Sequence, residues 1–160
     1  MSPVAHGVQP LPDGRYAVDL EPEERELLRG LAAELEELVA SEDPAVARLF
    51  PAAYRDDPKA DEEYRRLVRQ SLVSGRLEAL ATLRAARTAS LTEAEAEAWC
   101  GALNDLRLVL GERLGVTEEL YDRGIDPRHP DAVELSVYGW LTWLQASFVD
   151  ALASRLPTTE

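Results

Sequence analysis

Leucine and its apolar neighbours recur at helical spacing in four separate stretches of this chain, and each stretch opens with a recognisable start signal. In the first, Leu27, Leu28, Leu31, Leu35, Leu38 and Val39 repeat every three or four residues. Pro22 stands in the first turn, where its missing N–H does no harm, beside the dipole-complementing Glu23, Glu24 and Glu26. In the second, Pro58 opens a helix whose expected buried stripe is Tyr64, Leu67, Val68, Ser71 and Leu72; Ser74-Gly75 is a candidate kink before Leu77, Leu80 and Leu83. In the third, Thr92 is the N-cap and Glu95 completes a capping box ahead of Trp99, Leu103, Leu106, Leu110 and Leu114. The fourth starts near Asp131 and sets Val133, Val137, Trp140, Leu141, Leu144, Phe148 and Leu152 on one face, which Trp143 and Val149 widen.

The connections are short. Asp43-Pro44 predicts a short helix over residues 45–50, residues 51–57 read as a loop, and Thr117 caps a further turn, residues 118–123. Tyr16, Val18 and Leu20 alternate after the turn Pro12-Asp13-Gly14, which suggests one short strand or an extended lead-in. Residues 1–14 and 157–160 carry no apolar period and read as flexible ends. The expectation is an all-α domain spanning residues 1–160: an irregular or orthogonal bundle of about four main helices plus short ones, with room for one N-terminal strand.

Charge and cysteine content narrow the function. Thirty acidic against 17 basic residues leave a formal charge of −13, which repels phosphate backbones and argues against direct nucleic-acid binding. The balance is uneven, because residues 59–87 hold seven basic and four acidic side chains and are therefore +3, leaving −16 elsewhere. Arg65, Arg66 and Arg69 in that segment read either as a solvated helix face or as a docking stripe for an acidic partner. Cys100 is alone, so no internal disulfide can form, and a reducing cytoplasm is the expected compartment. The start lacks a basic region followed by an apolar one. The most apolar stretch, residues 133–156, carries Glu134, Asp150 and Arg155, so no membrane association is expected.

Hydrolytic or redox chemistry needs convergent groups, and few are in sight. His6 and His129 have no second ligand at metal spacing, so neither metal nor cofactor is expected. Asp56 and Asp57 read as turn residues, with Asp57 capping the following helix; alternatively, with Tyr54, they form part of a polar pocket. Asn104, Asp105 and Arg107, with Arg113 a turn and more beyond, either tie helices together or complete that pocket for a small ligand or a reaction. Cys100 reads as a small buried hydrophobe, since the nearby acids Glu97 and Asp105 would raise its pKa; a redox role needs exposure and a nearby cation. Trp140 and Trp143 pack in the core or, if one is exposed, mark a partner or homodimer surface.

Three runs of residues, Leu49-Phe-Pro-Ala-Ala-Tyr-Arg-Asp-Asp57, Trp99-Cys-Gly-Ala-Leu-Asn-Asp-Leu-Arg-Leu-Val-Leu-Gly111 and Tyr138-Gly-Trp-Leu-Thr-Trp-Leu-Gln145, resemble an actinobacterial family, the domain-of-unknown-function family numbered two thousand and seventeen. The resemblance runs from about Tyr16 to Leu152. It implies a regulatory or protein-interaction domain rather than a catalyst. Genes of the family commonly lie beside that of the Clp-protease adaptor, and some members are oxidative-stress regulators that sense redox state through a Cys-x-x-x-Cys disulfide and engage a sigma factor. A sigma factor or a Clp component is thus the partner the resemblance implies. This chain departs from the switch: Ala96 and Asn104 stand four residues either side of Cys100. An intramolecular disulfide is therefore impossible, and only mixed or intermolecular ones remain.

Overall fold

The computed structural model describes residues 6–41, 43–50, 54–85, 90–124 and 126–157. In chain order these form strands β1 (Gly7–Pro10) and β2 (Tyr16–Asp19), helix α1 (Pro22–Ala40), a 3-10 helix (Pro44–Leu49), α2 (Pro58–Ala85), the two-residue strand β3 (Ser90–Leu91), α3 (Glu93–Leu114), α4 (Glu118–Arg123) and α5 (Ala132–Ala153). The architecture is mostly helical, as expected. Residues 1–5, 51–53 and 158–160, read above as loose ends and part of a loop, lie outside the described residues.

The helix starts follow their local chemistry. Glu24 accepts from the Glu21 N–H at 2.9 Å, and Pro22 occupies the first turn of α1. At α3 the Glu95 N–H donates to Thr92 Oγ1 at 3.1 Å and the Thr92 N–H to Glu95 Oε1 at 3.0 Å. The Thr92 backbone N–H, and then its hydroxyl, hold the Glu95 carboxyl below its ordinary pKa. Its contribution to stability is therefore complete above the usual carboxylate range and is lost as pH falls through that lowered value. Thr92→Ala is expected to cost about 1 kcal/mol in a urea unfolding curve at neutral pH. That cost should shrink as Glu95 becomes protonated. Gly115, at φ 64°, ends α3 in the left-handed conformation that glycine adopts without strain.

The chain's start departs from expectation. Residues 6–14 are not frayed, and β2 does not stand alone. Antiparallel pairing runs β1–β2–β3, with Val8 opposite Val18 and Tyr16 opposite Leu91. The ladder is anchored from outside: the Val8 N–H donates to Ser147 Oγ on α5 at 3.0 Å, Arg15 holds Ser90, and Arg25 on α1 donates to the Val18 carbonyl at 2.9 Å. Tyr16, Val18 and Leu91 are at most 1% exposed, so the small sheet caps the helical core with one face buried. β1 and β2 pair as a local hairpin, but the side chains that anchor it are remote in sequence: Ser147 is 139 residues from Val8, and Ser90 is 75 residues from Arg15.

The core is built from Leu28, Ala32, Leu35 and Val39 of α1, Leu80 and Leu83 of α2, Trp99, Leu103 and Leu106 of α3, and Leu141, Leu144 and Phe148 of α5. Trp99 and Phe148 meet at 5.6 Å between ring centres, where α5 packs along α3. The expected short helix after Asp43 is a 3-10 helix, capped by the Asp43 carboxylate accepting from the Ala45 N–H at 2.9 Å.

Two helical faces differ from the sequence reading. On α5, Val133 is 74% exposed and Val149 is 48% exposed, because the inward face is set by Leu135, Leu141, Leu144, Phe148 and Ala151. On α2 the difference is larger. The helix is continuous through Ser74-Gly75, and its buried residues are only Leu80 and Leu83, both in the last two turns. Most of the stripe expected to be inside is open: Tyr64 is 38%, Leu67 75% and Leu72 44% exposed and Ser71 is exposed too, while Val68 is half-buried. At 1.5 Å per residue, 28 residues span about 42 Å, against about 28 Å for the 19 residues of α1 beside it. The first half of α2 is the more exposed half, although Arg65 reaches the Phe50 carbonyl and Val68 and Arg69 are half-buried.

Candidate functional site

The polar side chains of α3 are presented to two different neighbours. Asp105, 4% exposed, turns toward α2, where its carboxylate accepts from Arg76 Nη1. The same guanidinium donates through Nη2 to the Leu49 carbonyl at 2.7 Å and lies over the Phe50 ring at 5.3 Å. Arg76 therefore joins α2, α3 and the end of the 3-10 helix. Burial pushes the Asp105 carboxyl above its ordinary pKa, and Arg76 draws it part of the way back.

Asn104 and Arg107 turn the other way, toward α5. Arg107 Nε donates to Thr142 Oγ1 at 2.9 Å and Nη1 to Gln145 Oε1 at 2.7 Å, with the guanidinium 5.5 Å from the Tyr138 ring centre. Gln145 Nε2 in turn donates to Asn104 Oδ1 at 3.3 Å. Gly111 makes room for this arrangement: a Cβ there would sit 3.0 Å from the Tyr138 ring. Successive helical residues diverge by about 100°, so Asp105 cannot share a target with Arg107 two positions on.

The loop residues stand elsewhere. Asp57 caps α2 by accepting from the Ala60 N–H at 3.1 Å, and Asp56 is exposed beside it. Tyr54 is half exposed and meets Tyr64 edge-on at 5.9 Å. The open hollow that Arg107 lines, about 620 Å³, is completed by Val116, Thr117, Glu118, Asp122, Tyr138 and Thr142 and includes neither Asp56 nor Asp57. Arg113, at the end of α3, instead borders an apolar hollow between α1 and α3 with Glu34. The expected polar set is thus divided among a helix cap, an α2–α3 tie, an α3–α5 tie and a separate groove. Among the described residues no three His, Cys, Asp or Glu side chains gather as a metal site would require.

The interaction candidates are distributed as follows. Arg65 pairs with Asp61 at 3.1 Å and donates to the Phe50 carbonyl at 3.0 Å, while Arg66 is exposed and Arg69 half-buried on the same helix. Trp140 is half-buried, and Trp143, 40% exposed, stacks on His6 at 5.1 Å. Cys100 is half-buried, and burial raises its thiol pKa. The thiol stays protonated at neutral pH and is a poor nucleophile.

Sequence reasoning missed Arg76 and Arg155 as individuals. Arg155, just past α5, donates to the carbonyls of Gly14, Leu11 and Arg15 and lies 4.2 Å from the Tyr16 ring centre. A position after an apolar helix is a weak hint of carbonyl capping, and nothing in the local sequence names a turn 140 residues away.

Fold and polar layout together define a helical domain with an N-terminal three-stranded sheet and arginine ties between its helices. The chain belongs to the family described as Domain of unknown function (DUF2017), whose model matches residues 5–152. It is 35% identical over 129 residues to the putative oxidative stress regulator AosR of Mycobacterium leprae, covering 69% of this chain and 59% of that one. It is 30% identical to the oxidative stress regulators AosR of Mycobacterium bovis and Mycobacterium tuberculosis, covering 84% of this chain and 81% of theirs. No solved structure shows significant similarity. Among the described residues no helix is long and apolar enough to cross a membrane.

Proposed function

We propose that this chain is a cytoplasmic regulator of the oxidative stress response that acts by binding another protein and carries no thiol switch of its own. The observation that carries the reading is the kinship with oxidative stress regulators over 84% of the chain. The partner classes implied by the family, a transcription factor subunit of the sigma type or a component of Clp proteolysis, belong to the same reading. The lone, half-buried Cys100 with its raised pKa supports the second half of it, since a peroxide sensor needs a thiolate within reach of the oxidant and commonly a second cysteine to resolve the product. Signal input then reaches this protein through its partner or its abundance.

The test is genetic. Deleting the gene in its native host is expected to change survival under hydrogen peroxide, and both the parent chain and Cys100→Ala restore it. Unchanged survival and an unchanged transcript profile after deletion would overturn the regulatory reading. Failure of Cys100→Ala alone to complement would overturn the switch-free half. In the purified protein, alkylation of Cys100 by iodoacetamide at neutral pH is expected to run well below the rate of a free cysteine.

A further inference from the structure

We infer that the open hollow between α3, α4 and α5 is a binding site for a small zwitterion, a molecule with a carboxylate for Arg107 and an ammonium for Glu118 and Asp122. The inference stands apart from the regulatory reading above and concerns binding alone.

The cation of the site is fixed before any ligand arrives. Arg107 is half-buried, with Nε on Thr142 Oγ1 at 2.9 Å, Nη1 on Gln145 Oε1 at 2.7 Å and the Tyr138 ring centre 5.5 Å away. Gln145 is itself held by donating to Asn104 Oδ1 at 3.3 Å. A side chain ordered in this way has little freedom left to lose on binding. Its partners are all neutral. Arg29, Arg65, Arg76 and Arg84 each pair with a carboxylate, whereas among the described residues no carboxylate pairs with Arg107. Nη2 has no acceptor there either, and it is not sealed from solvent. Its N–H groups are therefore open to a carboxylate, the group with which a guanidinium makes its strongest and most directional bonds.

The opposite wall carries the opposite sign. Glu118 and Asp122 stand four residues apart on α4, so they share a face, and both line the hollow that Arg107 lines. Both are exposed, and among the described residues neither has an ion-pair partner. Charges of both signs thus border one space without closing across it. The space is about 620 Å³, a size that suits a small molecule, with Val116 and the Tyr138 ring as apolar lining. A zwitterion answers both walls at once. A simple anion is drawn to Arg107 but repelled by the two carboxylates, phosphate most strongly, and a simple amine meets the reverse.

The experiment titrates the whole chain, isotope-labelled for NMR, at neutral pH and low salt. The probes are the proteinogenic amino acids, taken singly, and the ω-amino acids from glycine to aminohexanoate, which widen the gap between the two charges. Acetate, butylamine and inorganic phosphate are the controls of single sign. At least one zwitterion is expected to give saturable amide shifts centred on residues 116–118, 122, 138 and 142, at concentrations where no control does. Glu118→Gln with Asp122→Asn should weaken that zwitterion about tenfold or more without weakening acetate. Both side chains are exposed and unpaired, so the thermal midpoint of this double variant should not move. Arg107→Lys keeps the charge, loses the fork and should weaken the zwitterion by a similar factor. The inference is overturned if no zwitterion saturates the shifts at millimolar concentration, or if butylamine or phosphate binds as tightly as the best zwitterion. Shifts centred elsewhere, or a double variant that binds unchanged, overturn it as well. Binding is read on the purified chain and the peroxide phenotype in the host, so the two readings fail separately.

Discussion

Arg76→Ala is expected to destabilise the protein by about 3 kcal/mol or more at neutral pH, the largest effect of any single polar substitution described here. The guanidinium compensates the Asp105 carboxylate, which is 4% exposed, and satisfies the Leu49 carbonyl while covering Phe50. Removing it leaves a buried charge that water cannot reach, and the carboxyl then answers by holding a proton. The sign of the pH dependence follows. Burial already raises the folded-state pKa of Asp105. A carboxyl whose pKa is raised on folding costs nothing below its unfolded value and destabilises progressively as pH rises through the folded one. Without Arg76 the opposing pull is gone and the rise is larger, so the variant should recover much of its lost stability on mild acidification. Asp105→Asn in the Arg76→Ala background should recover it at all pH values. Urea denaturation of the two variants across the acid range measures this, and an Arg76→Ala deficit that is flat in pH would show that the loss is packing and not charge.

Arg155→Ala is expected to cost about 2 to 3 kcal/mol, and to do so at a distance, by loosening the N-terminal hairpin. Charged donors to neutral carbonyls are worth more than neutral pairs, and here one planar group serves Leu11, Gly14 and Arg15 together while covering Tyr16. Arg155→Lys keeps the charge and loses the fork, so it should recover only part of the stability. Amide hydrogen exchange is the discriminating measurement: protection should fall first at β1 and β2, with α3 and the middle of α5 little changed. Equal loss of protection through the helical core would mean that the hairpin and the bundle unfold as one unit.

The helices were legible in the residues because each carries its own instructions: Pro22 and Pro58 in first turns, the Thr92–Glu95 box, the Gly115 stop, and leucines at three- and four-residue spacing. Those signals act within a few residues and need no partner. The candidate site was legible only as a set of residue types. Asn104, Asp105 and Arg107 were visible as polar positions next to an apolar stripe, but their targets, Arg76 on α2 and Gln145 and Thr142 on α5, belong to helices 29 to 41 residues away.

The α2 stripe shows where local reading stops. Periodicity establishes that Tyr64, Leu67 and Leu72 share a face, whereas burial depends on whether another element reaches that face, and the flanking helix is nine residues shorter. Which segments are helical, where they begin, and that one cysteine cannot switch by an internal disulfide were determined by the sequence itself, since each depends on near neighbours or on counting. Which apolar faces are covered, that three short strands close over the core, and which arginine answers which carboxylate were decided only in the tertiary structure. Those outcomes depend on contacts between residues far apart in the chain, and their energies exist only once the helices are in place.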